Sequence, residues 1–437
     1  MTRFLAAFTL SIVTQIMLAG GVCGQLLTHG PVVGGVTDST ANIFVRTNKI
    51  GTVFIRYSTS PTFQISADSA SVTTDVTSDF TAIIPLANLS AETTYYLNVI
   101  VDDLPQLTFP YPSFATFPVL GSFRSFNFVV LTDFTTSYHL SSSVPTFANA
   151  AATNPVFAFI GGDFDHRDPL TLTDKRRMYG DLYNPATPFM GDFVNLILRK
   201  MPIAHQWDDH DSGVNNIDKN YPDWNLNREV YQEYVPSYRL PATNLGIWQE
   251  FTYAQADFFV LDCRSQRDPD SDPDDFHKSM LDGNNLGVTG ELQWLRSNLV
   301  SSRARWKIIF TSVITNPTTK LTDGWAAFQT EWKGLRKFIL ANNITGVVFI
   351  SGDLHLDAID NGRQSGFPEM CVAQPNSLQA GGRDCSTARP GKWTEGYYNE
   401  TCSGFGLVTI STNPDRLLLQ SADEFGTVQI AYTVSAP

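Results

Sequence analysis

Residues 205–211, HQWDDHD, set Asp208, Asp209 and Asp211 around His210, directly after the largely apolar run NLILRKMPIA. Carboxylates that close repel one another, so the arrangement calls for a cation, a partner or a task. Three other stretches follow the same plan. FVVLTD ends in Asp133, FAFIGGD ends in Asp163 with His166 three residues on, and VVFISGDLH ends in Asp353 and His355. Taken singly, each is weak. A Gly-Asp after a strand is commonly a capped turn, Asp-x-His is common on surfaces, and DDHD alone reads as a solvated loop. Taken together they point to a metal centre, because carboxylates that converge must be neutralised.

The elements that would bring them together are legible too. From about Gly121, strand-like runs (FNFVVL, PVFAFI, ADFFVL, KIIFTSV, GVVFIS) alternate with helical stretches around LTDKRRMYGDLY, GELQWLRSNLVSS and AAFQTEWKGLRKFILANN. This is the texture of an α/β domain. Leu292, Leu295 and Leu299 fall on one helical face. In an open α/β sheet the strand ends share an edge where ligands bind, so aspartates from distant parts of the chain meet there. Residues 25–118 differ. Short runs such as ANIFVRT, TVFIRYS, FTAIIPL and TYYLNVIV, separated by turn residues, predict a small all-β sandwich.

The chain has 437 residues, is 43% hydrophobic and carries a formal net charge of −13. It is long enough for a large core and more than one domain. An acidic surface disfavours non-specific binding to nucleic acid or anionic lipid. Residues 1–24 have the layout of a secretory leader: Arg3, a mostly apolar run, then small residues, with Val22 and Gly24 suited to cleavage before Gln25. Losing them removes the one charge of Arg3 and leaves −14. No later stretch is apolar for long enough to span a membrane. The expected location is extracellular, or periplasmic in a Gram-negative cell. Cys263, Cys371, Cys385 and Cys402 follow the leader. An even count in a secreted chain suggests disulfides, with Cys371 paired to Cys385 or Cys402 and Cys263 a buried thiol. Asn88, Asn343 and Asn399 begin sequons.

The order Asp, Gly-Asp, Asp-His, Gly-Asp-x-His resembles the calcineurin-like metallophosphoesterases. WDDHD and SGDLH are similar to the PhoD-like alkaline phosphatase/phosphodiesterase branch in particular. THGPVVGGVTDSTANIFVRT, FFVLDCRSQR and LGVTGELQWLRSNLVSSRARWKIIFTS resemble further parts of that branch. The resemblance implies a β-sandwich core flanked by helices in four layers (residues 119–437), preceded by an immunoglobulin- or fibronectin-like domain (25–118). It also implies a two-metal site. Asp163 would bridge both ions, Asp133, His166 and His355 would complete the first, and Asp209 and Asp353 the second. His210 would face the leaving-group oxygen as the catalytic residue. In that family a Tyr often stands three residues after the bridging Asp; here it is His166. The ligand set suits a transition metal beside an oxygen-rich ion, taken as iron and calcium, with Mn, Mg and Zn as alternatives. Ions roughly 3.5–4 Å apart can clamp a phosphoryl group.

Arg264 and Arg267 follow the strand FFVLD and have two readings: bidentate contacts to a substrate phosphate, or salt bridges to the acidic loop DPDSDPDD. His139, His205 and His277 read as structural, with His205 nearest the site. The expectation is a secreted hydrolase of small phosphate esters; its rival is a secreted or cell-surface binding protein that keeps metals for stability alone. Oligomeric state is not legible.

Overall fold

The computed structural model describes residues 26–134, 145–186, 190–282, 290–372, 374–375, 391–398 and 403–437. The leader-like residues 1–24, His139, Cys385, Cys402 and Asn399 lie outside them. Among the described residues, nine strands form one mixed sheet. Its order is Val428–Ser435, Asp415–Asp423, Gly404–Thr412, Phe126–Leu131, Ala158–Gly161, Ile203–Gln206, Leu27–Gly34, Ala41–Thr47 and Thr81–Leu86. A second sheet runs Gln249–Tyr253, Ala256–Val260, Trp306–Phe310, Val347–Ser351, Pro368–Cys371, Asp357–Asn361 and Gly396–Tyr398.

Side-chain alternation explains how the two sheets stack. In Phe126–Leu131, Phe126, Phe128 and Val130 enter the core shared by both sheets, while Val129 and Leu131 face outward into a second apolar cluster. Phe258 and Val260, and Ile308 and Phe310, supply the facing side of the shared core, with Phe259 and Ile309 in a third cluster beyond. The ring of Phe128 lies 5.4 Å from that of Phe258 at 85°, an edge-to-face contact between the sheets. Helices cover both outer faces. Leu172–Leu182 and Trp224–Tyr234 bury Met178, Tyr179, Val230 and Tyr231 against the nine-stranded sheet. Glu291–Ser301 and Gln329–Ala341 bury Leu295, Leu299, Trp332 and Leu335 against the other, with Leu292 half-buried beside them. The layers therefore run helix, sheet, sheet, helix.

The central strands of each sheet are parallel to their neighbours, Phe126–Leu131 with Ala158–Gly161 and Ile203–Gln206, and Ala256–Val260 with Trp306–Phe310 and Val347–Ser351. Parallel pairing gathers their C-terminal ends on common edges, where the candidate aspartates sit.

Residues 26–118 hold strands and one short 3-10 turn. Their strands are divided between two sheets. Leu27–Gly34, Ala41–Thr47 and Thr81–Leu86 extend the nine-stranded sheet through the parallel pair Gly34 and Ile203, while Thr52–Ser58 and Thr94–Val101 centre a separate small sheet. No helix among the described residues is long and apolar enough to cross a membrane.

One expectation is corrected. Cys371 is a free, buried thiol rather than half of a disulfide. It ends a strand opposite Ala358, and its Sγ donates to the Gly352 carbonyl at 3.5 Å, so the side chain points into the core. Cys263 is also a buried free thiol.

Phe128 is fully buried between the two sheets. Phe128→Ala should cost about 3–5 kcal/mol, read as a lower urea midpoint at an unchanged slope; a change below 1 kcal/mol would mean the two sheets do not share this core.

Candidate metal centre

Each candidate aspartate lies two or three residues past a strand and is buried. Their backbones are unusual. Asp133, Asp163, Asp353 and His355 have φ of 55°, 46°, 67° and 58°, the left-handed region. Non-glycine residues there are uncommon and cluster at functional sites. The preceding glycines have a steric reason. A Cβ on Gly162 would lie 2.9 Å from Asp208 Cβ, and one on Gly352 would meet Thr132 and Asp133 at 3.1–3.3 Å. The Gly-Asp pairs are thus where two site loops touch.

Backbone N–H groups and side chains lock the loops together. Asp133 Oδ1 accepts from the Asp353 N–H at 3.0 Å, and its Oδ2 from Thr132 Oγ1 at 2.7 Å. The Phe134 N–H donates to the Asp163 carbonyl at 2.7 Å. Asp211 accepts from the Phe164 N–H at 2.6 Å and from the Asp208 N–H at 2.9 Å, which ties the DDHD turn to the GGD loop. Asp209 accepts from the Asn216 N–H at 2.6 Å.

The histidines are oriented by their other nitrogens. His166 Nδ1 donates to the Phe134 carbonyl at 2.8 Å, so Nε2 faces Asp163 Oδ2 at 3.3 Å. His355 Nδ1 meets the Gln374 amide at 2.9 Å, and its Nε2 lies 4.0 Å from Asp133 Oδ1. Anchoring one ring nitrogen so that the other faces inward is the arrangement of metal-ligating imidazoles. His210 Nδ1 is held by Asp168 Oδ1 at 2.5 Å.

Three sets of donor atoms come within 4.8 Å of one another: Asp163 with His166 and His355; Asp163 with Asp209 and His210; and Asp163 with Asp208, Asp209 and Asp353. Asp163 belongs to all three. Asp133 is in none of them, although His355 and the Asp353 N–H lie against it. The donor chemistry fits metal ions. One set is rich in imidazole and another wholly carboxylate, and the buried Asp353 Oδ2 accepts no hydrogen bond.

Residues 190–381 match the family model of the PhoD-like phosphatases, and residues 24–119 match a domain of unknown function, DUF7800. The chain carries a PhoD-like phosphatase domain. Alkaline phosphatase D of Bacillus subtilis (strain 168) is 25% identical over 221 residues, covering 44% of this chain and 36% of that protein. The match thus takes in about a third of the relative's length. Two solved structures share the fold. That of PhoD has a TM-score of 0.71 at 16% identity, covering 93% of this chain and 91% of its own. A purple acid phosphatase from yellow lupin seeds has 0.61 at 12%, covering 93% and 74%.

The PhoD-like segment carries Asp209, His210, Asp353 and His355, and also Arg264 and Arg267. Both arginines are wholly enclosed. Arg264 is bonded through Nε to Asp208 Oδ1 and lies 2.9 Å from Asp208 Oδ2 and 2.6 Å from Asp323 Oδ1. Its Nη2 is 3.4 Å from Asp209 and 3.7 Å from Asp353. Arg267 donates to Asp323 Oδ1 at 2.9 Å and reaches Asp270 of the acidic loop at 3.4 Å. Both arginines stand in salt bridges, Arg267 partly to the acidic loop. The same loop caps a helix, where the Thr330 N–H donates to Asp274 at 3.0 Å.

Electrostatics match the crowding. Burial, then the Asp163 charge, pushes the Asp133 carboxyl up to about 7. Burial does the same for Asp209, which also reaches about 7 against the pull of Arg264. Burial raises Asp163 too, but His166, His210 and His355 outweigh it and hold that carboxyl well below its usual range. Desolvation and like charge suppress ionisation wherever a cation is lacking.

Asp168, Lys320, Asp323 and Gln374 belong to the centre and were not singled out from sequence. Asp168 stands two residues after His166, a spacing that was readable. Lys320 and Asp323 sit in TTKLTDGW, which carries no such signal. His205 is buried against the rings of Phe164, Tyr179 and Tyr231, and burial lowers its pKa to about 3, so it acts as an apolar prop behind the GGD loop. His277 packs on Phe276.

Arg264→Met would strand Asp208 in the interior, while Asp323 keeps Arg267 and Lys320. Removing one partner of a buried ion pair costs about 3–5 kcal/mol. Thermal and urea unfolding should show a loss of that size; a variant as stable as the parent would mean the carboxylates find other cations.

Proposed function

We propose that this chain is a secreted, metal-dependent hydrolase of phosphate esters. The observation that carries the reading is Asp163 standing in all three groups of ligand atoms, the position a bridging carboxylate needs. In this reading Asp163 would be shared by two ions. Asp133, His166 and His355 would hold one, of iron type, and Asp209 and Asp353 an oxygen-rich one such as calcium. Bound there, the ions supply Lewis acidity toward a phosphoryl oxygen and lower the pKa of water.

The chain's own groups supply the rest. His210 is the catalytic acid/base. Asp168 accepts its Nδ1–H, fixes the tautomer and leaves Nε2 toward the leaving-group oxygen. Arg264 and Arg267 position Asp208 and Asp323 rather than touch substrate. The leader-like residues 1–24 support secretion. Residues 25–118, read as an immunoglobulin- or fibronectin-like domain, contribute no ligand, and none of the three ligand groups draws on them. The rival reading, a binding protein with structural metals, gives no use to an imidazole braced by a carboxylate beside the ligands.

Elemental analysis paired with chromogenic monoester and diester assays tests the proposal, and a metal-loaded chain that turns over neither ester would sink it. His210→Ala should keep its metals and lose ~10²–10⁴-fold in turnover; full activity there would remove His210 from the chemistry. His355→Ala should lose metal and activity together. If it keeps both metals and normal turnover, the two-metal assignment fails.

A further inference from the structure

With both arginines enclosed, the site needs another cation if a protein side chain is to meet the substrate's phosphate. Lys320 is bonded to the same carboxylates and is not enclosed. Its side chain keeps 31% exposure, against 0% for Arg264 and Arg267. Its Nζ bonds Asp353 Oδ1 and lies 3.1 Å from Asp323 Oδ2. The next residue, Leu321, is 67% exposed, so this turn faces solvent while the ammonium reaches inward.

Donor counting leaves Lys320 with capacity. An ammonium has three N–H donors and two are used here. Asp323 is held by both arginines as well, so it does not depend on the lysine. If Asp353 gave its oxygens to a metal ion, the ammonium would lose that partner and have two donors over the centre. A compact, mobile ammonium suits phosphate as a point charge.

We propose that Lys320, between Asp353 and the open side of the centre, is the cationic side chain that contacts the phosphoryl oxygens of the substrate. This rests on the hydrolase reading above and names a phosphate-binding residue for it. The probe is inorganic phosphate, titrated calorimetrically into the metal-loaded full chain, with metal content measured by elemental analysis. Lys320→Met should keep its metals and bind phosphate about 10–100-fold more weakly, the scale of one hydrogen bond to a charged group. Lys320→Arg should recover part of the loss. Lys320→Gln gives the same readout if the methionine variant does not fold. Unchanged phosphate binding in metal-loaded Lys320→Met or Lys320→Gln would overturn the proposal. So would loss of metal, which would make Lys320 a support for Asp353 instead. A parent protein that binds phosphate through Lys320 but hydrolyses no ester would defeat the hydrolase reading and leave this contact standing.

Discussion

Mutual repulsion among buried carboxylates is the constraint on which the rest of this structure depends. Asp133, Asp163, Asp208, Asp209, Asp211, Asp323 and Asp353 are all enclosed within one region. The side-chain cations bonded to them, Arg264, Arg267 and Lys320, sit on one flank, around Asp208, Asp323 and Asp353. Among the described residues, Asp133 and Asp163 have imidazoles, backbone N–H groups and the Thr132 hydroxyl beside them, but no lysine or arginine. A fold that removed these groups from water without compensation would be driven to protonate them, as the raised pKa values of Asp133 and Asp209 express. The two flanks therefore have different demands. One is largely neutralised by the chain itself, and the other invites metal charge.

The fold meets that demand through topology. Two stacked sheets with parallel central strands bring four chain segments to adjoining edges, and an apolar core on both sides of each sheet holds those edges in place. Left-handed turns then aim the aspartates inward at a cost of order 1–3 kcal/mol each. Backbone donors to Asp133 and Asp211 come from neighbouring loops, so those loops cannot relax one at a time. Strain at the turns is offset by the packing of the sheets beneath them.

Much of this was legible in sequence because apolar runs ending in Asp are a local signal. Asp133, Asp163, Asp209 and Asp353 could be read from the residues before them, and the strands from their β-branched and aromatic runs. What was not legible depends on three-dimensional proximity. The spacing of Arg264 and Arg267 after a strand end matched a phosphate-binding role equally well. Only the enclosure of both guanidiniums by Asp208 and Asp323 decides between solvent-facing and buried use. Cys371 misled for a similar reason: an even cysteine count in a chain expected to be secreted argues for a disulfide, but strand register points its side chain inward. The division of the N-terminal strands between two sheets hinges on one parallel pair, Gly34 with Ile203, which no local pattern announces.

The contrast between the arginines and Lys320 follows from their chemistry. A guanidinium is always charged, weakly hydrated and able to bind two carboxylates in one plane, so it tolerates full burial, as Arg264 does between Asp208 and Asp323. An ammonium is strongly hydrated and is costlier to enclose. At Lys320 the side chain as a whole stays partly exposed. The same preference that places arginine beneath the centre and lysine at its edge separates a structural cation from one able to exchange water for a ligand. Telling the two kinds of cation apart therefore required burial, not residue type alone.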